Sequence, residues 1–413
     1  MTSYQTAVLE NGLRIIALPA ASPVVYCGYQ LNVGTANELP DEEGIAHFCE
    51  HVTFKGTMRR TAIDVIQCLE QVGGDLNAFT TKTDTVYYSA ILKDHLPRAI
   101  DLLTDIVFHS VYPQKEINKE VEVICDEIES YNDSPSELIY DEFENLIFRG
   151  HPLGHSILGS AERVRKFTTE DALRFTKKFY QPMNSVFFAY GDIDFDDLIS
   201  LLEQENGSKV KSKGETEKPI EMALPSLSEY QAQTIRVDKQ THQAHVMIGN
   251  RAYNIHDKRR MALYLLNNIL GGPGMSARLN LALRERRGLV YTVDSSMVTY
   301  SSTGVWAIYF GCDTDDLYEC LRLVRAELDH FMTVPLTDDE LTIAKQQIKG
   351  QIGIACDNRE NLALDFGKGF LHYGWKKDIS ALYRNIDTIT AEELQAVACE
   401  LFPEERLSKL IYV

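Results

Sequence analysis

The chain has 413 residues, with 41 Lys and Arg against 60 Asp and Glu, giving a net charge of −19. Its 44% hydrophobic and 24% charged residues exclude a disordered or collagen-like chain, and its length exceeds the ~250 residues at which a single core stops growing, so two or three domains are expected. The acidity argues against a nucleic-acid-binding surface, which needs clustered cations to displace counterions, and favours cationic peptides as partners.

The first residues carry no basic stretch followed by an apolar run of signal-peptide length, and no later window approaches ~18 consecutive apolar residues. A soluble cytoplasmic protein without a membrane span is expected. Eight cysteines, Cys27, Cys49, Cys68, Cys125, Cys312, Cys320, Cys356 and Cys399, include no Cys-x-x-Cys pair and read as reduced, mostly buried thiols.

In chain order, β-type runs at 13–18 and 24–33 precede helical patterns at 44–55 and 62–72. Strands at 76–80 and 85–92 follow, then helices at 95–109, 113–131 and 134–148. Phe167-Thr-Thr-Glu-Asp-Ala-Leu173 opens a helix that runs to Phe179 and Tyr180, ahead of a strand at 186–190. The stretch 206–218, rich in Gly, Ser and Lys, reads as a linker. Beyond it, helices are predicted at 256–270, 277–287, 316–332 and 337–356. The end of the chain then repeats the end of the first half at an offset of 222 residues: Ile389-Thr-Ala-Glu-Glu-Leu394 leads to Leu401 and Phe402 and a strand at 410–413. In both copies a Thr ahead of acidic residues signals a helix start. Two related domains are expected, an N-terminal one at 1–206 and a C-terminal one at 222–413, joined by a linker at 207–221. Strands and helices are mixed rather than strictly alternating. The expected fold class is α+β, each domain a mixed or antiparallel sheet with helices packed on one face.

On the helix at 44–55, Ile45, Phe48, Cys49 and Val52 form one apolar stripe, and His47, Glu50, His51 and Phe54 the opposite one. Two imidazoles four residues apart project together and grip one metal ion, while Glu50 beside them reaches a water held there. A zinc site of this kind takes a third protein ligand from elsewhere in the chain. On the helix at 113–131, Glu116, Glu120 and Glu127 share a stripe bordering the apolar Ile117, Val121, Ile124 and Ile128, whereas Glu122, Asp126 and Glu129 lie on a solvated face. Either Glu127 or Glu120 is the ligand, and the other is an outer partner of a ligating His. Helical phase alone does not rank them.

His47-x-x-Glu50-His51 is H-E-x-x-H reversed, the inverzincin signature. Its surroundings, from Gly44-Ile-Ala-His to Phe54-Lys-Gly-Thr57, resemble the pitrilysin and mitochondrial processing peptidase family. The resemblance extends through Gly73-Gly-Asp-Leu-Asn-Ala-Phe79, His151-Pro-Leu-Gly-His-Ser-Ile-Leu-Gly159, Tyr190-Gly-Asp-Ile193 and Leu283-Arg-Glu-Arg-Arg-Gly-Leu-Val-Tyr291, in a chain of the size of the family's short two-domain subunits. It implies Glu127, 76 residues past His51, as the third Zn²⁺ ligand, and Glu120 as the outer-shell glutamate. It also implies that Leu76, Asn77, Ala78, Phe79 and Thr80 form an exposed edge strand pairing with substrate backbone, and that Arg284 and Tyr291 hold a substrate carbonyl or steady the oxyanion.

The expected activity is zinc-dependent endopeptidase action on short or unfolded peptides, basic ones favoured, with Glu50 as general base. By resemblance two subunits enclose the substrate in a chamber. Because this chain carries both the zinc motif and the Arg/Tyr pair, a homodimer is favoured over a heterodimer with a related subunit. The alternative is a catalytically silent structural or partner subunit. Gly271-Gly-Pro-Gly274 lacks the Lys-Ser/Thr of a phosphate loop and reads as a turn, and His151 and His155 read as loop residues.

Overall fold

The computed structural model describes residues 3–214, 219 and 224–413. The strands are β1 (Gln5–Leu9), β2 (Arg14–Pro19), β3 (Val24–Leu31), β4 (Asp75–Thr80), β5 (Thr85–Leu92), β6 (Ser185–Gly191), β7 (Val210–Lys213), β8 (Thr234–Val237), β9 (Gln243–Ala252), β10 (Val290–Thr299), β11 (Gly304–Asp313) and β12 (Ser408–Tyr412). The α-helices of the first half are α1 (Ile45–Thr53), α2 (Ala62–Glu70), α3 (Leu96–His109), α4 (Gln114–Asn132), α5 (Pro135–Ile147), α6 (Ala161–Val164), α7 (Thr169–Phe179) and α8 (Phe195–Asn206). Those of the second half are α9 (Arg260–Gly271), α10 (Leu317–Thr333), α11 (Asp338–Cys356), α12 (Arg359–Tyr373), α13 (Ile379–Thr388) and α14 (Ala391–Leu401). Of the expected linker, β7 occupies part, while 215–218, 220 and 221 lie outside the described residues.

The chain divides into two compact units, and the division is not the consecutive one expected at 206 and 222. One unit comprises Met1–Ser130, His155–Ser226 and Ala355–Lys377; the other comprises Tyr131–Gly154, Leu227–Ile354 and Asp378–Val413. Each thus takes a helix from the opposite half of the sequence: α12 joins the first unit and α5 the second.

The first unit holds a sheet in the order β4-β5-β3-β6-β2-β1-β7, antiparallel except for the β2/β6 pair. Alternation along the strands separates its two faces. Ile15, Cys27, Tyr29, Tyr87 and Phe187 point into the core formed with α1, α3, α4 and α7. Ile16, Val86, Tyr88, Val186 and Phe188 point the other way and are covered by Ala363, Phe366, Phe370 and Leu371 of α12. This explains why β6, Ser-Val-Phe-Phe-Ala-Tyr-Gly, is apolar on both faces. The helix also satisfies polar groups under it: the buried Arg14 guanidinium donates to the carbonyls of Phe370 and Leu371.

The second unit holds a sheet in the order β10-β11-β9-β12-β8, antiparallel except for β12/β8. Its order repeats β4-β5-β3-β6-β2 of the first sheet. The repeat also holds at the helix caps: Thr168 with Asp171 and Thr390 with Glu393 form capping boxes, 222 residues apart. On this sheet α5 packs against β9, β11 and β12. The fold is the expected α+β pair of sheets, with the exchanged helices added. No helix among the described residues is long and apolar enough to cross a membrane.

Candidate metal centre

The site is built on α1. Its apolar stripe, Ile45, Phe48, Cys49 and Val52, is fully buried in the core of the first unit, which fixes the helix's rotation. The start of α1 is fixed by a residue that sequence reading missed. Glu38 is buried, and its carboxylate accepts the backbone N–H groups of Gly44 (3.0 Å) and Ala46 (2.9 Å). Burial pushes this carboxyl well above its usual range, against the opposing effect of the two amides. The helix N-cap is Gly44 at φ 94°, where a Cβ would meet Gly159 Cα at 2.9 Å and Leu158 O at 3.0 Å, so glycine is required on two counts. No local pattern marks Glu38, because it caps from six residues upstream of the N-cap.

With the apolar stripe inward, His47 and His51 stand side by side, ring centroids 4.7 Å apart. From α4, Glu127 sets Oε1 3.6 Å from His47 Nε2 and Oε2 3.2 Å from His51 Nε2. The ligand atoms of His47, His51 and Glu127 all lie within 4.8 Å of one another. Glu120, seven residues earlier, sets Oε1 3.0 Å from His51 Nδ1. Its other oxygen, Oε2, is 2.5 Å from Lys55 Nζ. Lys55 is the second residue the sequence reading passed over, although its place four residues after His51 was a signal.

The donor set fits a zinc ion. Two imidazole nitrogens and one carboxylate are a ligand set that zinc takes, and three protein ligands are the number that leaves a coordination position open. The Glu120–His51 contact is the carboxylate–histidine arrangement that orients a ligating ring. Burial works against a charged His51, yet Glu120 and Glu127 outweigh it and raise its pKa to about 9. His47 and His51 together hold the Glu127 carboxyl well below the usual range. Glu50 lies on the same helix, buried, and among the described residues its Oε2 has no hydrogen-bonding partner. A buried carboxylate oxygen without a partner is a group that calls for one.

Leu76, Asn77, Ala78, Phe79 and Thr80 lie in β4, an edge of the first sheet that, among the described residues, pairs on one side only, with β5. Arg284 and Tyr291 belong to the second unit, where they form a pair of their own. The helix expected at 277–287 is instead a π-helix over Asn280–Glu285, with Arg286 N–H bonded to Leu281 O five residues back. The β10/β11 register shifts between Val290 and Val293, placing Tyr291 in a bulge, 81% exposed. The Arg284 guanidinium carbon lies 5.6 Å from the Tyr291 ring centre. Of the set-aside histidines, His151 is buried in a loop and accepts the Leu153 N–H.

Two helix-borne histidines and a glutamate from a second helix, on a scaffold of two repeated sheets, define the class of inverted His-x-x-Glu-His proteins. Comparison with known proteins places the chain within it. Residues 15–161 match the model described as Insulinase (Peptidase family M16), and residues 166–348 match the Peptidase M16 inactive domain. The chain belongs to peptidase family M16, the pitrilysin-like family. A protein of Streptomyces coelicolor named an uncharacterized zinc protease is 32% identical over 405 residues, covering 96% of this chain and 86% of that one. One of Bacillus subtilis, similarly named, is 31% identical over 407 residues, covering 97% and 96%. In fold, the chain is similar to a protease from Helicobacter pylori (TM-score 0.89, 21% identity, covering 100% and 99%) and to a peptidase M16 inactive domain from Pseudomonas fluorescens (TM-score 0.87, 20% identity, covering 99% and 97%).

Proposed function

We propose that this chain is a zinc-dependent endopeptidase acting on short or unfolded peptides. The observation that carries the reading is the convergence of His47, His51 and Glu127 within 4.8 Å, with a buried carboxylate oxygen of Glu50, unpartnered among the described residues, on the same helix as the two histidines. His47, His51 and Glu127 would hold a zinc ion, which would supply Lewis acidity toward a peptide carbonyl and toward water near neutral pH. Glu50 takes the proton of the attacking water and delivers it to the leaving amine. Glu120 holds Nδ1 of His51 so that Nε2 is presented to the metal. The edge of β4 aligns the substrate backbone, and Arg284 and Tyr291 engage its carbonyl.

The active form we propose is a dimer of such subunits enclosing the substrate, so that folded proteins are excluded by size. The net charge of −19 biases selection toward basic peptides. A silent partner subunit is the second reading, since the match over residues 166–348 carries the description of an inactive domain. That segment contains none of His47, Glu50, His51 and Glu127, which favours the enzyme.

Glu50→Gln tests the mechanism. The variant is expected to bind one equivalent of zinc and to lose hydrolysis of an unstructured basic peptide by ~10²–10⁴-fold or more. Full peptidase activity in zinc-free protein sinks the reading, and bound zinc without cleavage, even with related subunits added, favours the silent subunit.

A further inference from the structure

His47, His51 and Lys55 recur every four residues. Although α1 ends at Thr53, the Lys55 N–H still bonds to the Val52 carbonyl at 3.1 Å, so its side chain leaves the last turn on the side of His51. Its ammonium meets Oε2 of Glu120 at 2.5 Å while Oε1 of Glu120 meets His51 Nδ1 at 3.0 Å. Both oxygens of Glu120 are thus engaged, and its side chain is 11% exposed. Glu127, on the same stripe of α4, is 45% exposed and has both oxygens turned to Nε2 atoms.

We propose that Lys55 is a positioning residue that selects Glu127 over Glu120 as the carboxylate ligand. The inference rests on the zinc reading above. Two carboxylates two turns apart on one helix both border His51, and a doubly charged ion attracts both. A carboxylate whose lone pairs are aimed at an ammonium and an imidazole N–H gains little by leaving them, because the ammonium would be left half-buried without its partner. Lys55 thereby keeps Glu120 on Nδ1, which fixes the His51 ring, and keeps a fourth protein ligand from filling the position that water and substrate need. Without the ammonium, Oε2 of Glu120 would lose its partner, and turning toward the metal would supply another.

The test uses the full chain, stripped of metal, as wild type, Lys55→Met, Lys55→Gln and Lys55→Arg. Zinc affinity is measured by competition with a chromophoric chelator, and Co²⁺ loading reads coordination number from the visible absorption bands. Thermal melting of the metal-free proteins shows which variants fold. Lys55→Met and Lys55→Gln are expected to lower the Co²⁺ band intensity as a further ligand enters, and to change zinc affinity by ~10–100-fold, the range for partners of metal ligands. Lys55→Arg, which retains a cation, restores both. Folded Lys55→Met or Lys55→Gln with wild-type affinity and an unchanged Co²⁺ spectrum overturns the role of Lys55. A wild-type chain that binds no zinc overturns the metal reading, and this inference with it.

Discussion

Oε2 of Glu127 lies 3.2 Å from Nε2 of His51, although the two residues are 76 positions apart in the chain. The contact joins α1 to α4, so a metal held there fastens two helices of the same unit. If zinc is the resident ion, its removal is expected to lower stability as well as activity. Zinc at 100 times its dissociation constant adds ~2.7 kcal/mol to the folded state. Melting with and without a chelator measures this. In Glu127→Gln the chelator is expected to have no effect, because the charged ligand is gone.

Arg284 and Tyr291 touch each other rather than being held by the core, and the π-helix and the bulge are what present them. Tyr291→Phe removes a hydroxyl and little else. Its expected effect is a fall in kcat/KM of ~10²-fold, the cost of one lost donor to a developing oxyanion, with zinc content unchanged. Arg284→Ala is expected to act in the same direction. Variants that cleave peptides at the wild-type rate would remove both residues from the reaction.

How far sequence led differs between elements for physical reasons. The stripe of His47, Glu50 and His51 was legible because a helix of known period separates it from Ile45, Phe48, Cys49 and Val52. Glu120 and Glu127 were not separable, since seven residues turn a helix to within about 20° of its start; what distinguishes them is Lys55 and the two Nε2 atoms, none of which lies on α4. The helix exchange was hidden for a similar reason. The amphipathic pattern of α5 shows that a face is buried but not which sheet covers it, and α12 is not among the helices the sequence predicts. At 277–287 the apolar spacing suited an α-helix, and the wider turn appears only in the Arg286 to Leu281 bond.

The cap on α1 makes its own prediction. Glu38→Ala leaves the N–H groups of Gly44 and Ala46 buried without acceptors, at ~1–3 kcal/mol each. The variant is expected to unfold at lower urea concentration and to bind zinc more weakly, since His47 stands in the first turn of this helix. Equilibrium unfolding of the metal-free protein separates the two effects. An unchanged urea midpoint would show that water replaces the carboxylate at no cost.

Asp84 supplies a pH dependence that does not involve the metal. It lies between β4 and β5, and its Oδ1 accepts from the hydroxyls of Thr81 and Thr83 at 2.9 Å each. The same oxygen faces Lys368 Nζ at 3.0 Å and His372 Nε2 at 3.4 Å, both on α12. Burial works to raise its pKa, but Lys368 and His372 outweigh burial and hold the carboxyl well below the usual range. A carboxylate with a depressed folded pKa contributes stability that is fully present above its unfolded value of ~3.9 and is lost as pH falls below it toward the folded pKa. The wild type is therefore expected to lose stability between about pH 5 and pH 2 more steeply than Asp84→Asn. At neutral pH the variant is expected to be less stable by ~1.5–3 kcal/mol, the contribution of a charge-assisted hydrogen bond, and the gap should narrow in acid. Urea midpoints across that range decide it: two profiles that stay parallel would mean that the charge of Asp84 does not hold α12 to the β4/β5 turn.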